Sequence, residues 1–270
     1  MAASPNMTLV TANTQDQWAQ DFFETGYATM PGANGAQRVM RVFFRSANIE
    51  NPFDRSFPMR DAGRIVFTRF RGKDVAGIQQ IDLGSPEDSQ SLNSFGNFET
   101  IPPYTNGGKQ WPLGRVIRGS ITGFAPDQSF VSMTEAQKYQ EPSVNVDTSW
   151  LLVGHIDETM SFLKASTPRG WILLVNDARL AKSMLEAEVA RGNGATPMFV
   201  GMNWMDDQGN EKPARTTISA LLAKTDIMIA SAEAAVKVDE QLAIFKRETG
   251  ITDAEIIKVP FLHEDVQGTS

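Results

Sequence analysis

The sequence predicts an α/β fold. In its second half, a strand-like pattern at 171–175 runs into an amphipathic helical pattern at 177–191, and strands and helices continue to alternate. Hydrophobic residues make up 41% of the 270 residues and charged residues 21%, so enough apolar surface is available for a folded core. No linker and no literal internal repeat divides the chain, and we therefore expect one domain.

Strands in the first half are predicted from clusters of β-branched and aromatic residues. Segments 39–44 and 64–70 have this composition, and a further short strand is expected at 115–118. Pro102-Pro103 and Asn106-Gly107-Gly108 are typical of turns. The stretch 119–148 is expected to consist mainly of loops.

Elements of the second half have clearer boundaries. Asp177 can cap the helix over 177–191 and Gly192 can end it, while Gly250 can end a second, long helix. The other expected elements are that helix over 225–248 and strands over 150–153, 171–175, 198–200 and 255–259.

Charge excludes some functions. The net charge is −7, which argues against general binding of nucleic acid or of anionic membranes. Segment 37–73 carries nine basic against three acidic residues with interleaved Phe, a pattern also seen in proteins that bind single-stranded nucleic acid. The acidic balance of the whole chain instead favours core phenylalanines and arginines that face solvent or an anion. Without a signal peptide or an apolar span, a cytoplasmic location is expected.

Cysteine is absent from the sequence. Its absence excludes a disulfide scaffold, an iron–sulfur cluster, a Cys-ligated zinc site and thiol catalysis by these 270 residues.

His155 is one of only two histidines and lies in the run Gly154-His155-Ile156-Asp157-Glu158. On an extended strand, His155 and Asp157 would project from the same face, and an imidazole beside a carboxylate is a usable acid–base pair. A structural histidine satisfied by an acid is the alternative. Zinc would need ligands beyond His155 and His263, and none is apparent.

Gln20 and Glu24 share a face whether their segment is a helix or a strand, whereas Asp21 points elsewhere in both cases. Their oxygens suit a hard cation such as calcium, which also accepts backbone carbonyls. A solvated polar face is the alternative. The turn-like run from Ser94 to Glu99 can direct carbonyls inward, with Glu99 completing an oxygen cage; taken alone it is an ordinary loop.

Together these motifs resemble the calcium-dependent protein-arginine deiminases of the animal type. The family's run Trp-x-Gln-Asp-x-x-Glu-x-Gly-Tyr is matched from Trp18 to Tyr27, and its Ser-Phe-Gly-Asn-Leu-Glu from Ser94 to Glu99. Its Pro-Leu-Gly-Arg recurs from Pro112 to Arg115, and its Trp-Leu-x-Val-Gly-His-Val-Asp-Glu from Trp150 to Glu158. The matches are collinear and span residues 14–262.

The resemblance implies a pentein-type α/β propeller of ββαβ modules and hydrolysis of peptidyl-arginine to peptidyl-citrulline and ammonia. Residues 1–13 would form a flexible lead-in, and 14–270 would form a partial, incomplete catalytic domain. The family's nucleophilic cysteine has no counterpart here. A catalytically inactive remnant that binds arginine peptides or calcium, or a gene fragment, is therefore the alternative to an enzyme.

The resemblance also implies roles for individual residues. Asp21 and Asp157 would bind the planar guanidinium group, and His155 would be the acid–base group. Trp18 would form a wall of the arginine pocket. A calcium ion would be held by the side chains of Gln20, Glu24 and Glu99 and by the main-chain carbonyls of Phe95 and Phe98.

Overall fold

A computed structural model describes residues 10–14, 16–49, 59–81, 91–122, 127–205 and 208–265. These residues form two compact units, the first ending at Glu158 and the second beginning at Thr159. Of the lead-in predicted over 1–13, residues 1–9 lie outside the described residues, and 10–13 are exposed without regular secondary structure. None of the described helices is both long and apolar enough to cross a membrane.

The first unit begins with a three-stranded sheet. Its elements are α1 (Ala19–Phe22), β1 (Phe23–Pro31), β2 (Gln37–Arg45) and β3 (Val75–Gln79). β1 and β2 form an antiparallel pair in which Glu24 lies opposite Phe44, and β3 pairs with β2 in parallel. The strand predicted at 39–44 is confirmed within β2, where β-branched and aromatic side chains pack well on a pleated, half-buried surface.

The strand predicted at 64–70 is wrong. A 3₁₀ turn at Asp61–Arg64 and a π-helical turn at Val66–Phe70 occupy this position, in the connection between the parallel strands β2 and β3. The ring centroid of Phe70 lies 5.1 Å from that of Phe23 and 4.7 Å from that of Phe43. Phe70 therefore packs against the first sheet. The periodicity of a short apolar run does not show whether the run forms a strand or a helix.

A second sheet follows in the same unit. Its strands are β4 (Phe98–Ile101), β7 (Arg115–Ser120) and β8 (Val144–Asp147), with α2 (Gln128–Gln137) between β7 and β8. Between β4 and β7 the chain forms a separate two-stranded hairpin of β5 (Tyr104–Asn106) and β6 (Lys109–Trp111). β4 is antiparallel to β7, and β8 is parallel to β7. The strand predicted at 115–118 is confirmed, but the loop expectation for 119–148 is wrong at α2 and β8. Asp127 caps α2 by accepting the N–H groups of Ser129 and Phe130, a signal already present in the sequence.

The strand predicted at 150–153 is also wrong, because the chain turns directly after β8. Asp147 Oδ1 accepts the Ser149 N–H at 2.9 Å, as short polar side chains do at turns. The exposed residues Leu152 and Val153 lead through Gly154, whose φ is +73°, into a 3₁₀ turn at Ile156–Glu158. His155 and Asp157 are therefore presented by a turn and not by an extended strand.

The core of the first unit joins its two three-stranded sheets. The ring centroid of Phe44 on β2 lies 5.7 Å from that of Phe98 on β4 and 5.5 Å from that of Phe130 on α2. Phe95 and Val116 belong to the same buried cluster. This packing places the turn at Phe95–Asn97 against α1.

The second unit largely follows the sequence prediction. Its elements are β9 (Met160–Lys164), β10 (Trp171–Asp177), α3 (Ala178–Ala190), β11 (Pro197–Met198), β12 (Asn203–Met205), β13 (Glu211–Pro213), β14 (Thr216–Thr217), α4 (Ile218–Leu222), α5 (Thr225–Thr249) and β15 (Ile256–Pro260). Asp177 caps α3 through the Leu180 N–H at 2.8 Å, and Gly250 ends α5 with φ +69°. Of the strand predicted at 198–200, only Met198 is in a strand, because Phe199 has a positive φ of 59° and the chain turns there.

One strand arrangement recurs in three sheets. An antiparallel strand pair is extended by a third strand parallel to its second member, in β1-β2-β3, β4-β7-β8 and β9-β10-β15. In the second and third sheets, α-helices lie in the connection that leads to the parallel strand, so the chain order is ββαβ. The mixed α/β content confirms the predicted class. Closure of such modules into a propeller stays a prediction.

Candidate active site

A cavity of about 850 Å³ in the first unit brings together the residues predicted for the active site. Asp21, from α1, lines it together with His155 and Asp157, from the turn after β8. Trp18 also lines the cavity and has 61% of its surface exposed. Residues far apart in the sequence thus face the same space.

The side chain of Asp21 lies between two nitrogen groups. Its Oδ2 accepts a hydrogen bond from Nη1 of Arg60 at 2.8 Å, and its Oδ1 lies 3.8 Å from Nδ1 of His155. The second distance is too long for a hydrogen bond, so none joins His155 to Asp21. The Gln20 side chain instead contacts Glu24 and Glu99.

His155 is buried, and its contacts indicate its tautomer. Nε2 lies 2.9 Å from the Ser91 carbonyl oxygen, which can only accept a hydrogen bond, so Nε2 carries a proton. The main-chain N–H of His155 donates to Glu158 Oε1 at 2.9 Å. Burial lowers the pKa of His155, which is therefore neutral near pH 7 with Nδ1 free of a proton. A neutral imidazole in this orientation can accept a proton on its Asp21 side.

Asp157 has an unusual ionisation for a carboxyl group. Burial, together with the negative charges of Asp21, Glu158 and Glu24, raises the pKa of Asp157 to about 7. Burial also raises the pKa of Glu158. Several carboxyl groups that repel one another make this cavity a favourable place for a cation.

Gly96 allows His155 and Asp157 to approach the turn at Phe95–Asn97. A Cβ atom at Gly96 would lie 2.9 Å from Asp157 Oδ2 and 3.0 Å from Oδ1, and it would meet His155 Nδ1 still more closely. The absence of a side chain at this position is therefore a steric requirement of the site.

Gly96→Ala is expected to displace His155 and Asp157. We expect a destabilisation of about 1–3 kcal/mol, the usual result of overpacking, and at least roughly tenfold weaker binding of a small arginine amide. Thermal unfolding and calorimetric titration would measure the two effects. Gly72→Ala is the matched control, because no atom lies within 4 Å of its added Cβ. Equal behaviour of the two variants would contradict the steric role of Gly96.

The predicted calcium ligands Gln20, Glu24 and Glu99 lie next to one another. Nε2 of Gln20 donates hydrogen bonds to a carboxylate oxygen of Glu24 and, at 2.9 Å, to Oε1 of Glu99. Burial raises the pKa of Glu24. Burial and the charges of Glu24 and Asp157 raise the pKa of Glu99 to about 9. The carboxyl groups of Glu24 and Glu99 are thus both buried, and the Gln20 amide donates a hydrogen bond to each of them.

The two carbonyl groups predicted to complete this set belong to buried residues beside Glu99. Phe95 begins the turn at Phe95–Asn97, and its carbonyl accepts the N–H of Phe98, which starts β4. A carbonyl oxygen has a second lone pair for a further partner. Among the described residues, no three His, Cys, Asp or Glu side chains are grouped to hold a metal. The predicted set contains only two such side chains and takes its other oxygens from an amide and the main chain.

Comparison with known proteins identifies the family. The family model described as protein-arginine deiminase matches residues 1–270. The chain belongs to the protein-arginine deiminase family. Rat protein-arginine deiminase type-4 is 30% identical over 256 residues, covering 93% of this chain and 34% of the relative.

Other deiminases show the same extent of similarity. The human type-4 protein is 29% identical over 260 residues and the human type-1 protein 29% over 255, each covering 93% of this chain and 34% of the relative. The chain thus spans about a third of the length of the curated deiminases it matches.

Sequence reasoning missed four residues around this candidate site. Arg60 contacts Asp21, Ser91 accepts from His155, Glu158 accepts from the His155 main chain, and Gly96 leaves room for the pair. Glu158 and Gly96 lie inside the motifs that carry the resemblance, and this position in the sequence could have marked them as site residues. Nothing in the local sequence marks Arg60 or Ser91, because their contacts are between distant segments.

Proposed function

We propose that the cavity binds the guanidinium group of a peptidyl-arginine and provides the binding and acid–base groups of a calcium-dependent protein-arginine deiminase. The observation that carries this proposal is that Asp21, His155 and Asp157 line one cavity. Its net negative character suits a guanidinium, which forms paired, charge-assisted hydrogen bonds with carboxylates. The reaction converts peptidyl-arginine and water into peptidyl-citrulline and ammonia.

Each residue has a task in this reaction. Asp21 and Asp157 hold the guanidinium nitrogens and keep its central carbon accessible. His155 moves protons: its neutral imidazole would take up the proton that the attacking thiol loses, donate it to the departing ammonia and then take one from the incoming water. Trp18 forms a wall along the arginine side chain. The covalent step needs a thiolate, and no cysteine is present among the 270 residues.

We propose calcium for the place between Gln20, Glu24 and Glu99. Two buried carboxyl groups whose pKa values are raised fit a divalent cation, because both would be ionised more easily beside it. Gln20 would present its oxygen in place of its nitrogen, and Phe95 and Phe98 would contribute carbonyl oxygens. The ion, when bound, would supply positive charge next to the turn that supports His155 and Asp157.

The propeller architecture and the single catalytic domain over 14–270 belong to the same proposal. Their support is the ββαβ order that recurs in the second and third sheets. Cytoplasmic location and the absence of nucleic-acid and membrane partners stay predictions from the sequence.

Binding measurements test the proposal without a thiol. We expect a short arginine peptide to bind the chain in the presence of calcium and the same peptide with citrulline to bind at least roughly tenfold more weakly, because citrulline has no charge. Asp21→Asn should remove this preference. Asp61→Asn is the control, because Asp61 is exposed and pairs with Arg64. Equal binding of the two peptides would contradict the proposal.

A second candidate function is arginine binding without turnover, favoured by the complete absence of cysteine. We expect no citrulline to form when the purified chain is incubated with calcium and the arginine peptide. Turnover that is lost in Asp157→Ala would show that another group replaces the thiolate, and would rule out the non-catalytic function.

A further inference from the structure

Arg60 places a guanidinium group of the protein itself inside the proposed arginine site. Its Nη1 donates to Asp21 Oδ2 at 2.8 Å and its Nε to Asp16 Oδ2 at 2.7 Å, while Nη2 donates to the other oxygen of Asp16. Only 13% of the Arg60 side chain is exposed. Arg60 therefore bridges two carboxylates and lines the same cavity as His155 and Asp157.

Other groups hold Arg60 in this position. The main-chain N–H of Arg60 donates to the Asn48 carbonyl at 3.1 Å, and its Nη1 lies 3.3 Å from Asn48 Oδ1. The Phe22 ring centroid lies 6.0 Å from the guanidinium carbon, within reach of a cation–π contact. Although burial acts to lower the pKa of Arg60, Asp16 and Asp21 raise it, so this group stays charged.

We propose that Arg60 is an internal competitor of the substrate arginine for Asp21. The inference rests on the proposed function of Asp21 as a guanidinium-binding carboxylate. A substrate guanidinium presents the same planar set of donors and the same positive charge as Arg60. A substrate that pairs with both oxygens of Asp21 would therefore have to share Oδ2 with a second, like-charged guanidinium. An arginine side chain can bind fully only when Arg60 leaves Asp21.

Asp16 gives Arg60 a place to remain after it leaves Asp21. The hydrogen bonds from Nε and Nη2 to Asp16 do not involve Asp21, so release of Asp21 breaks one part of the bridge and keeps the rest. The site thus has an occupied and a released state. The apparent affinity for arginine is the intrinsic affinity reduced by the fraction of molecules in the released state.

Arg60→Met tests this competition directly. If the released state makes up about a tenth of the molecules, the variant should bind Nα-benzoyl-arginine amide about tenfold more tightly than the wild type, a gain of about 1.4 kcal/mol. Arg64→Met removes the same charge from an exposed position that pairs with Asp61, and it should leave the affinity unchanged. Isothermal titration calorimetry of the full chain measures all three affinities.

Asp16→Asn gives a change in the opposite direction. Without Asp16, Arg60 depends on Asp21, and the arginine amide should bind more weakly than to the wild type. In an Arg60→Met background the same substitution should have no effect, because Asp16 acts through Arg60. Equal weakening in both backgrounds would mean that Asp16 binds the ligand itself, and would overturn the proposed bridge.

The outcomes separate this inference from the proposed function. If the wild type binds the arginine amide and Arg60→Met binds it equally well or more weakly, the competition is overturned and the proposed function of Asp21 remains. No binding in the wild type or any variant overturns both. A side-chain ¹⁵N NMR signal of Arg60 that follows the binding curve in the wild type supports the competition even if a variant fails to fold; a signal that is unmoved at saturation overturns it.

Discussion

Asp157→Asn is expected to weaken the binding of an arginine amide by about tenfold near pH 8 and to remove most of the pH dependence of binding. Burial and neighbouring carboxyl groups raise the pKa of Asp157 to about 7, so this group is largely protonated near pH 6 and largely ionised near pH 8. A guanidinium binds the ionised form. The wild-type affinity should therefore rise roughly tenfold from about pH 6 to about pH 8 and become constant above that.

The direction of this pH effect follows from proton release. Below about pH 7, binding of the cation must expel the proton from Asp157, which costs affinity. Asparagine resembles the protonated carboxyl group at all pH values, so the variant should show the low-pH affinity of the wild type throughout. Calorimetric titrations at several pH values measure the effect. A wild-type affinity that falls as pH rises, or a variant as steep as the wild type, would contradict the assigned role of Asp157.

Glu99→Gln is expected to stabilise the calcium-free protein at alkaline pH and to abolish its stabilisation by calcium. The pKa of Glu99 is raised from an ordinary value of 4.5 to about 9, so the folded state keeps a proton that the unfolded state loses. The contribution of Glu99 to stability is fully present below about pH 4.5 and is lost as pH rises through about 9. Glutamine removes this loss, and we expect a melting temperature higher by roughly 5 °C near pH 8.

With calcium bound, the wild type should melt at a higher temperature than Glu99→Gln. An ion between Glu24 and Glu99 stabilises the folded wild type in proportion to the logarithm of its concentration, whereas Glu99→Gln loses one of the two charged ligands. Thermal melts with calcium and with a chelator measure both effects. Glu186→Gln is the control, since Glu186 lies on the exposed surface of α3. A calcium shift retained in full by Glu99→Gln would remove Glu99 from the proposed ligands.

Sequence patterns predicted the second unit better than the first. Strand β10 and helices α3 and α5 have long, regular patterns with local end signals, such as the Asp177 cap and Gly250. In the first unit, short apolar runs were assigned to strands at 64–70 and 150–153, and both assignments were wrong. Their conformation depends on what they cover: Phe70 packs on the first sheet, while Asp147 turns the chain after β8.

The candidate site shows the same division. Gln20 contacts Glu24 while Asp21 contacts Arg60, but Gln20 lies in α1 and Glu24 in β1, so the single helix or strand from which the spacing argument started is not present. The extended strand assumed for His155 and Asp157 is wrong, yet both side chains line the cavity. The family motif therefore predicted the place of these two residues better than the extended strand that was assumed for them.

The sequence by itself determined the α/β class, the missing thiol, the family motifs and the residue types that suit a guanidinium and a calcium ion. Only the tertiary structure decided that the pKa of Asp157 is near 7, that Gly96 must lack a side chain and that Arg60 occupies Asp21. The physical reason is that residue identity and local spacing are properties of a short segment. Burial, repulsion between carboxyl groups and competition for one carboxylate arise only when packing brings distant segments together.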